Sequence, residues 1–249
     1  MKKRILSILL LCCMVLIMLP TTVLAADGPM DTIPKYDVSI DVYNRTSDIS
    51  IKDSRSYYIY SSVPDKLRDT WAWDKKIFIK GDKTAPHVFI DGVNIEMSPS
   101  SKGPAIELNK KASAYIYFIG KDSSLQGADG RAAIQKNRSE GQLYVLARTG
   151  TTVTCKGGYR AAGIGGSWAI RNIGDSMFNM DMYGHGVNMH FGSQSNPDYW
   201  GGTINATGGE YGAGIGAGSW GHSGHSGNTI HGGAGERLYF YSGTVNASG

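Results

Sequence analysis

One short block is written three times in this chain, and that repetition limits what it can fold into. Thr152-Val153-Thr154-Cys155-Lys156-Gly157-Gly158-Tyr159-Arg160-Ala161-Ala162-Gly163-Ile164-Gly165-Gly166, followed by Ser167-Trp168, returns as Thr203-Ile204-Asn205-Ala206-Thr207-Gly208-Gly209-Glu210-Tyr211-Gly212-Ala213-Gly214-Ile215-Gly216-Ala217-Gly218-Ser219-Trp220. Its opening recurs as Thr244-Val245-Asn246-Ala247-Ser248-Gly249. Such repetition implies stacked copies of one supersecondary unit, because a single copy cannot bury its own apolar face. Fainter echoes extend upstream: Gly103-Pro104-Ala105-Ile106, Arg131-Ala132-Ala133-Ile134, Ala161-Ala162-Gly163-Ile164 and Gly212-Ala213-Gly214-Ile215 place the Ile at intervals of 28, 30 and 51 residues. A sandwich gives no reason for the same phrase at each pass, whereas a solenoid sets each Ile above that of the coil below. The longest interval spans two coils or one coil with an excursion, for which residues 168–200 are available.

Period-two alternation of β-branched and aromatic residues starts at Tyr36 and continues along the chain, as in Val38-Ser39-Ile40-Asp41-Val42, Tyr115-Ile116-Tyr117-Phe118-Ile119 and Val187-Asn188-Met189-His190-Phe191. This pattern predicts short, half-buried strands. The 34 glycines, about twice average usage, fit many tight corners. One helical turn is expected near residues 64–69. Stacked coils would pair as parallel strands roughly 4.8 Å apart, with Ile and Val filling the interior and Cys155 taking the small inward slot held by Ala206 and Ala247 in the other copies. The expected layout is an irregular cap with strands at 36–75, preceded by a flexible lead-in at 26–35, then roughly six to eight coils over 76–249. The chain stops at Gly249 as another coil begins, so the expectation is that the repeat continues beyond it.

Lys2, Lys3 and Arg4 precede an apolar run over residues 5–19 and then Val23-Leu24-Ala25, the pattern of a secretory signal peptide over 1–25. Its removal lowers the formal charge from +4 to +1 and takes away Cys12 and Cys13, leaving Cys155 alone and no intrachain disulfide. A secreted or cell-surface protein is therefore expected, with no membrane segment after cleavage. No basic block remains to favour nucleic acid.

Acids thin out where the repeat is clearest: after Glu140 only Asp175, Asp181, Asp198, Glu210 and Glu236 remain, and no two stand close in sequence. That weakens the case for general acid–base chemistry on a sugar. Asp122 and Asp129 could ligate calcium through side-chain and backbone oxygens, or simply form turns. His222, His225 and His231 occupy a Gly/Ser/His stretch that lacks the further ligands a zinc site needs. The sequons at Asn205 and Asn246 read as turn chemistry inside the repeat phrase. The aromatics carry the strongest ligand signal. Trp168 and Trp220 stand just past the same Gly-rich corner, and Tyr199-Trp200 precedes the second block. A row of such rings could lie against sugar rings; equally, each could cover the open side of its own coil. Trp71 and Trp73 share a strand face and could cap the first coil or add to that surface.

The run Val88-Phe89-Ile90-Asp91-Gly92-Val93-Asn94-Ile95, then Ala105-Ile106-Glu107-Leu108, Ile119-Gly120-Lys121-Asp122-Ser123-Ser124-Leu125 and the Gly-Ala-Gly-Ile-Gly blocks resemble the secreted, repetitive β-helix proteins of Gram-positive gut and cellulolytic bacteria. Those are commonly described as carbohydrate-binding-domain-containing proteins with a pectin-lyase-like coil, and the resemblance covers residues 75–249. It implies an all-β fold, a single-stranded right-handed parallel β-helix (solenoid), expected here as a monomer. It also implies non-catalytic binding of polysaccharide or glycan in an adhesin-like role, for which the corner aromatics Trp168, Tyr199, Trp200 and Trp220 are the expected ligand-binding residues. No cofactor is expected beyond possible calcium. A polysaccharide lyase or glycoside hydrolase, and a purely structural stalk, are the alternatives.

Overall fold

The computed structural model describes residues 35–80, 85–98, 103–109, 111–136, 140–171, 184–222 and 230–249, with backbone alone for 169–171, 220–222 and 230–232. The period-two stretches form short strands, many of them followed at once by Gly, Asn or Ser, as at Ser61, Gly92, Asn109, Gly120 and Gly157. The first pass contributes β1 (Val38–Asp41) and β2 (Ile49–Ile51); the second contributes β3 (Ser56–Tyr60) and β4 (Ile77–Ile79), with a 3-10 turn at Asp65–Leu67 between them. The third pass holds β5 (His87–Asp91), β6 (Asn94–Glu96) and β7 (Ile106–Leu108), and the fourth β8 (Ala114–Ile119), β9 (Ser123–Gln126) and β10 (Ile134–Gln135). The fifth holds β11 (Leu143–Ala147), β12 (Thr152–Lys156), β13 (Ile164–Gly165) and β14 (Ala169–Arg171). The sixth holds β15 (Gly186–Phe191), β16 (Thr203–Thr207), β17 (Ile215–Gly216), β18 (Ser219–His222) and β19 (Ile230–Gly232), and the seventh β20 (Gly235–Phe240) and β21 (Thr244–Ser248).

These strands assemble into three all-parallel sheets. Sheet 1 runs β1-β3-β5-β8-β11-β15-β20, sheet 2 runs β6-β9-β12-β16-β21, and sheet 3 runs β2-β4-β7-β10-β13-β17. From the third pass to the sixth the chain visits sheets 1, 2 and 3 in the same order. In the second pass a single bridge from Trp73 to Ile95 stands where a sheet 2 strand would be. A small fourth sheet, β14-β18-β19, carries the excursion of the fifth and sixth passes.

Register follows the repeat phrase. Ile49, Ile77, Ile106, Ile134, Ile164 and Ile215 are consecutive neighbours across sheet 3. The 51-residue interval is therefore one step with an excursion. The strands of residues 36–75 are the first members of sheets 1 and 3, although Ile49 and Ile77 lack the small residues that announce the later copies. In sheet 2 the inward column shrinks along the stack as Ile95, Leu125, Cys155, Ala206 and Ala247. Most of these inward side chains are fully buried, and each large aliphatic contributes about 1.5–3 kcal/mol through burial. Burial also pushes the Cys155 thiol pKa up, which keeps it an inert small hydrophobe.

The opposite face of sheet 1 is aromatic. His87, Tyr115, Tyr144, His190 and Tyr239 are register neighbours, with successive ring centroids 4.7, 4.5, 4.3 and 4.7 Å apart. Beside them Phe89 stacks on Tyr117 at 4.5 Å. At the far end Phe240, in register with Phe191, is 55% exposed. Among the described residues no strand pairs with the outer edge of β20 or β21.

Candidate functional site

The outer face of sheet 2 is polar by the same alternation that turns Ile95, Leu125 and Cys155 inward. Asn94, Ser124 and Thr154 form one outward column, and Glu96, Gln126 and Lys156 form the next. Residues 68–72, which follow the 3-10 turn, run beside this face and make a wall. Arg68 Nη1 donates to the Gly92 carbonyl at 3.1 Å, and Asn94 Nδ2 donates to the Arg68 carbonyl at 3.0 Å. The Trp71 ring stands edge-on to Tyr43 at 5.4 Å.

Between wall and face lie two depressions of about 420 and 650 Å³ that share Thr70, Ala72, Glu96 and Gln126. Together they make one groove across β6, β9 and β12. Trp71 lines the first depression; Tyr159 and Glu210 line the second, at the corner where the chain leaves sheet 2.

That corner is strained. At corresponding positions of successive passes Gly130, Arg160 and Tyr211 have φ of 73, 63 and 66°, a conformation that costs a residue with a side chain roughly 1–2 kcal/mol. The strain presents Tyr159 and Tyr211, 42% and 56% exposed, with ring centroids 6.5 Å apart. The Arg160 guanidinium lies 4.8 Å from the Tyr159 ring centroid and 5.4 Å from that of Trp168. A hydrogen bond to Glu210 raises the Tyr211 phenol pKa. A floor of hydroxyls, amides and the charged Glu96 and Lys156, with Trp71 and Tyr159 in its lining, can hold a hydroxyl-rich polymer by many weak contacts. Among the described residues, no three His, Cys, Asp or Glu converge on a metal position.

The described aromatics singled out in the sequence do not form one row. Trp168 packs at the corner behind the groove, its backbone N–H donating to the Gly130 carbonyl at 2.9 Å. Tyr199 and Trp200 lie in the turn between β15 and β16: Trp200 is fully buried, 5.0 Å from Tyr117 of sheet 1, with Tyr199 edge-on to it at 4.8 Å. Trp200 therefore closes the aromatic face of that sheet and has no ring surface free for a ligand. The expected equivalence of Trp168 and Trp220 is corrected by one residue. Gly216-Ala217-Gly218 is longer than Gly165-Gly166, so Trp220 is in register with Ala169. The Trp220 side chain lies outside the described residues, as do His225 and the side chains of His222 and His231.

Asp122 and Asp129 are not brought together as a calcium pair. They stand at opposite ends of β9 and line different depressions, and Asp122 accepts the N–H of Thr152, 30 residues on in the next pass, at 2.7 Å. Asn205 and Asn246 sit in strands, not turns, with Asn246 Nδ2 donating to Asn205 Oδ1 at 2.8 Å.

Tyr159 and Tyr211 were missed, although both follow a Gly-Gly pair in the repeat, one position apart. Comparison with protein-family models, with curated proteins and with solved structures found no match.

Proposed function

We propose that this chain is a secreted, single-stranded right-handed parallel β-helix that binds polysaccharide without cleaving it, as an adhesin-like surface protein. The cyclic visit to three parallel sheets supports the coil, and crossovers between parallel strands are overwhelmingly right-handed. The observation that carries the function is the continuous polar groove across β6, β9 and β12, bounded by Trp71 and Tyr159. A polymer lying across the strands meets the same kind of polar side chain at each pass, so affinity accumulates with length.

The test is a panel of soluble plant, bacterial and mucin polysaccharides read by quenching of tryptophan fluorescence. A bound glycan should be held less tightly by Trp71→Ala and by Tyr159→Ala, with no new reducing ends or unsaturated products. Release of such products would make the chain an enzyme, and silence across the panel would remove the binding role.

A further inference from the structure

The groove differs in charge from the chain that builds it. Without residues 1–25 the chain is formally +1, yet the groove is lined by Asp69, Glu96, Asp122, Asp129 and Glu210 against Arg68 and Lys156, with Arg160 over the Tyr159 ring. Arg68 is also committed to the wall, through Gly92 and a 3.6 Å approach to Asp65. Glu96, Asp129 and Glu210 all line the second depression, beside the exposed Tyr159 ring. A groove lined by one sign of charge focuses the field within it and selects the opposite sign in its ligand.

We infer that the groove takes a glycan bearing protonated amino groups, such as a de-N-acetylated amino-sugar polymer, in preference to neutral or uronic-acid chains. This rests on the glycan-binding reading above and names the ligand class for that site. An ammonium group gains from the carboxylates that line each depression, while the Tyr159 ring already carries the Arg160 guanidinium at 4.8 Å. A uronate carries its charge where the groove already has the same sign. Geometry adds to this, because the carboxylates recur along the path of the polymer: Asp122 and Glu96 near Trp71, Asp129 and Glu210 near Tyr159.

Titration with glucosamine oligomers, N-acetylglucosamine oligomers of equal length, galacturonate oligomers and lysine oligomers separates the outcomes. The amino form should bind about ten-fold more tightly than its acetylated twin, from a few exposed charge pairs acting together, and added salt should erase that advantage. The double variant Glu96→Gln, Glu210→Gln alters two exposed side chains. It should keep the wild-type melting temperature while losing most of the preference for the amino form over its acetylated twin; Glu236→Gln, away from the groove, should change neither affinity.

Equal affinity for the two amino-sugar forms, or tighter binding of galacturonate, overturns the charge inference while leaving glycan binding intact. Lysine oligomers outcompeting the amino sugar would overturn it in favour of a basic peptide. Binding of none of the three sugars would bring down the inference and the function together.

Discussion

In the first four passes the outward neighbours of the sheet 3 isoleucines are Ser50, Phe78, Glu107 and Gln135; in the fifth and sixth they are Gly165 and Gly216. The early passes are spaced by side chains that pack over their neighbours, and the later ones by backbone lying directly on backbone. A Cβ on Gly165 would come within 2.1 Å of the Gly216 carbonyl oxygen, one on Gly158 within 1.9 Å of the Ala128 oxygen, and one on Gly212 within 2.0 Å of the Ala161 oxygen. The same parallel stacking is thus reached by two physical means. The difference predicts where the chain tolerates change. Early passes should absorb altered side chains by repacking, and late passes should refuse an added atom at the glycines that lie directly against backbone.

The largest effect belongs to the column common to both regions. Ile164 is fully buried between Ile134 and Ile215. Ile164→Asp would leave a charge with no partner there, at a cost of about 3–5 kcal/mol or more, so the variant should lose its cooperative thermal transition. A cooperative melt would sink the shared column. Next comes the boundary between the two regions, where Lys136 follows β10 and is buried, its Nζ donating to the Glu140 carbonyl at 2.8 Å. Burial lowers its pKa to about 8 from 10.5. Between those values the unfolded chain holds the extra proton, so wild-type stability should rise with pH across that window. Lys136→Met should be more stable at neutral pH by a few kcal/mol, on the order of the shift itself. That advantage should shrink as pH climbs from 8 toward 10.5. A parallel pH profile for the two proteins in chemical denaturation would show that the lysine is not held against its charge.

The comparison also explains how much could be read from the letters. The late passes were legible because backbone contact demands glycine, and glycine leaves a visible phrase. Ile49 and Ile77 were not seen as members of the column because packing by side chains accepts Ser50, Phe78 or Glu107 alike, which leaves only period-two alternation. The groove was hidden for a further reason. Its wall, residues 68–72, is irregular, and its floor is assembled from three strands about 30 residues apart, joined only by register. Tryptophan drew the ligand prediction to Trp200, but a large flat ring serves equally well to close the aromatic face of a sheet. The one-residue difference at Ala217 moved Trp220 off the register of Trp168, and only the pairing reveals it.

A pair of glycine variants sharpens the contrast directly. Gly158→Ala must displace the Ala128 backbone, whereas Gly150, with φ of 83°, has nothing within 4 Å of its added Cβ. Overpacking should cost the first variant about 1–3 kcal/mol in addition to any conformational term, while the second bears only the left-handed penalty of about 1 kcal/mol. Equal losses in denaturant titrations would erase the distinction between contact-limited and conformation-limited corners.

The smallest effect is the most informative about function, because its two readouts move in opposite directions. Tyr211 holds φ of 66° at a corner where the equivalent position two passes earlier is Gly130 at 73°. Its ring is more than half exposed, so little burial is lost by removing it. Tyr211→Gly should therefore leave stability unchanged or raise it by up to about 1 kcal/mol, as strain is relieved against the entropy a new glycine adds to the unfolded chain. The same substitution removes the ring beside Tyr159 and the hydrogen bond to Glu210, and glycan affinity should fall by a few-fold, within the roughly 0.5–1.5 kcal/mol an aromatic contact supplies. Stability gained with affinity lost marks strain maintained for binding. Affinity retained would reduce the corner to a structural feature and leave the groove to Trp71 and Tyr159 alone.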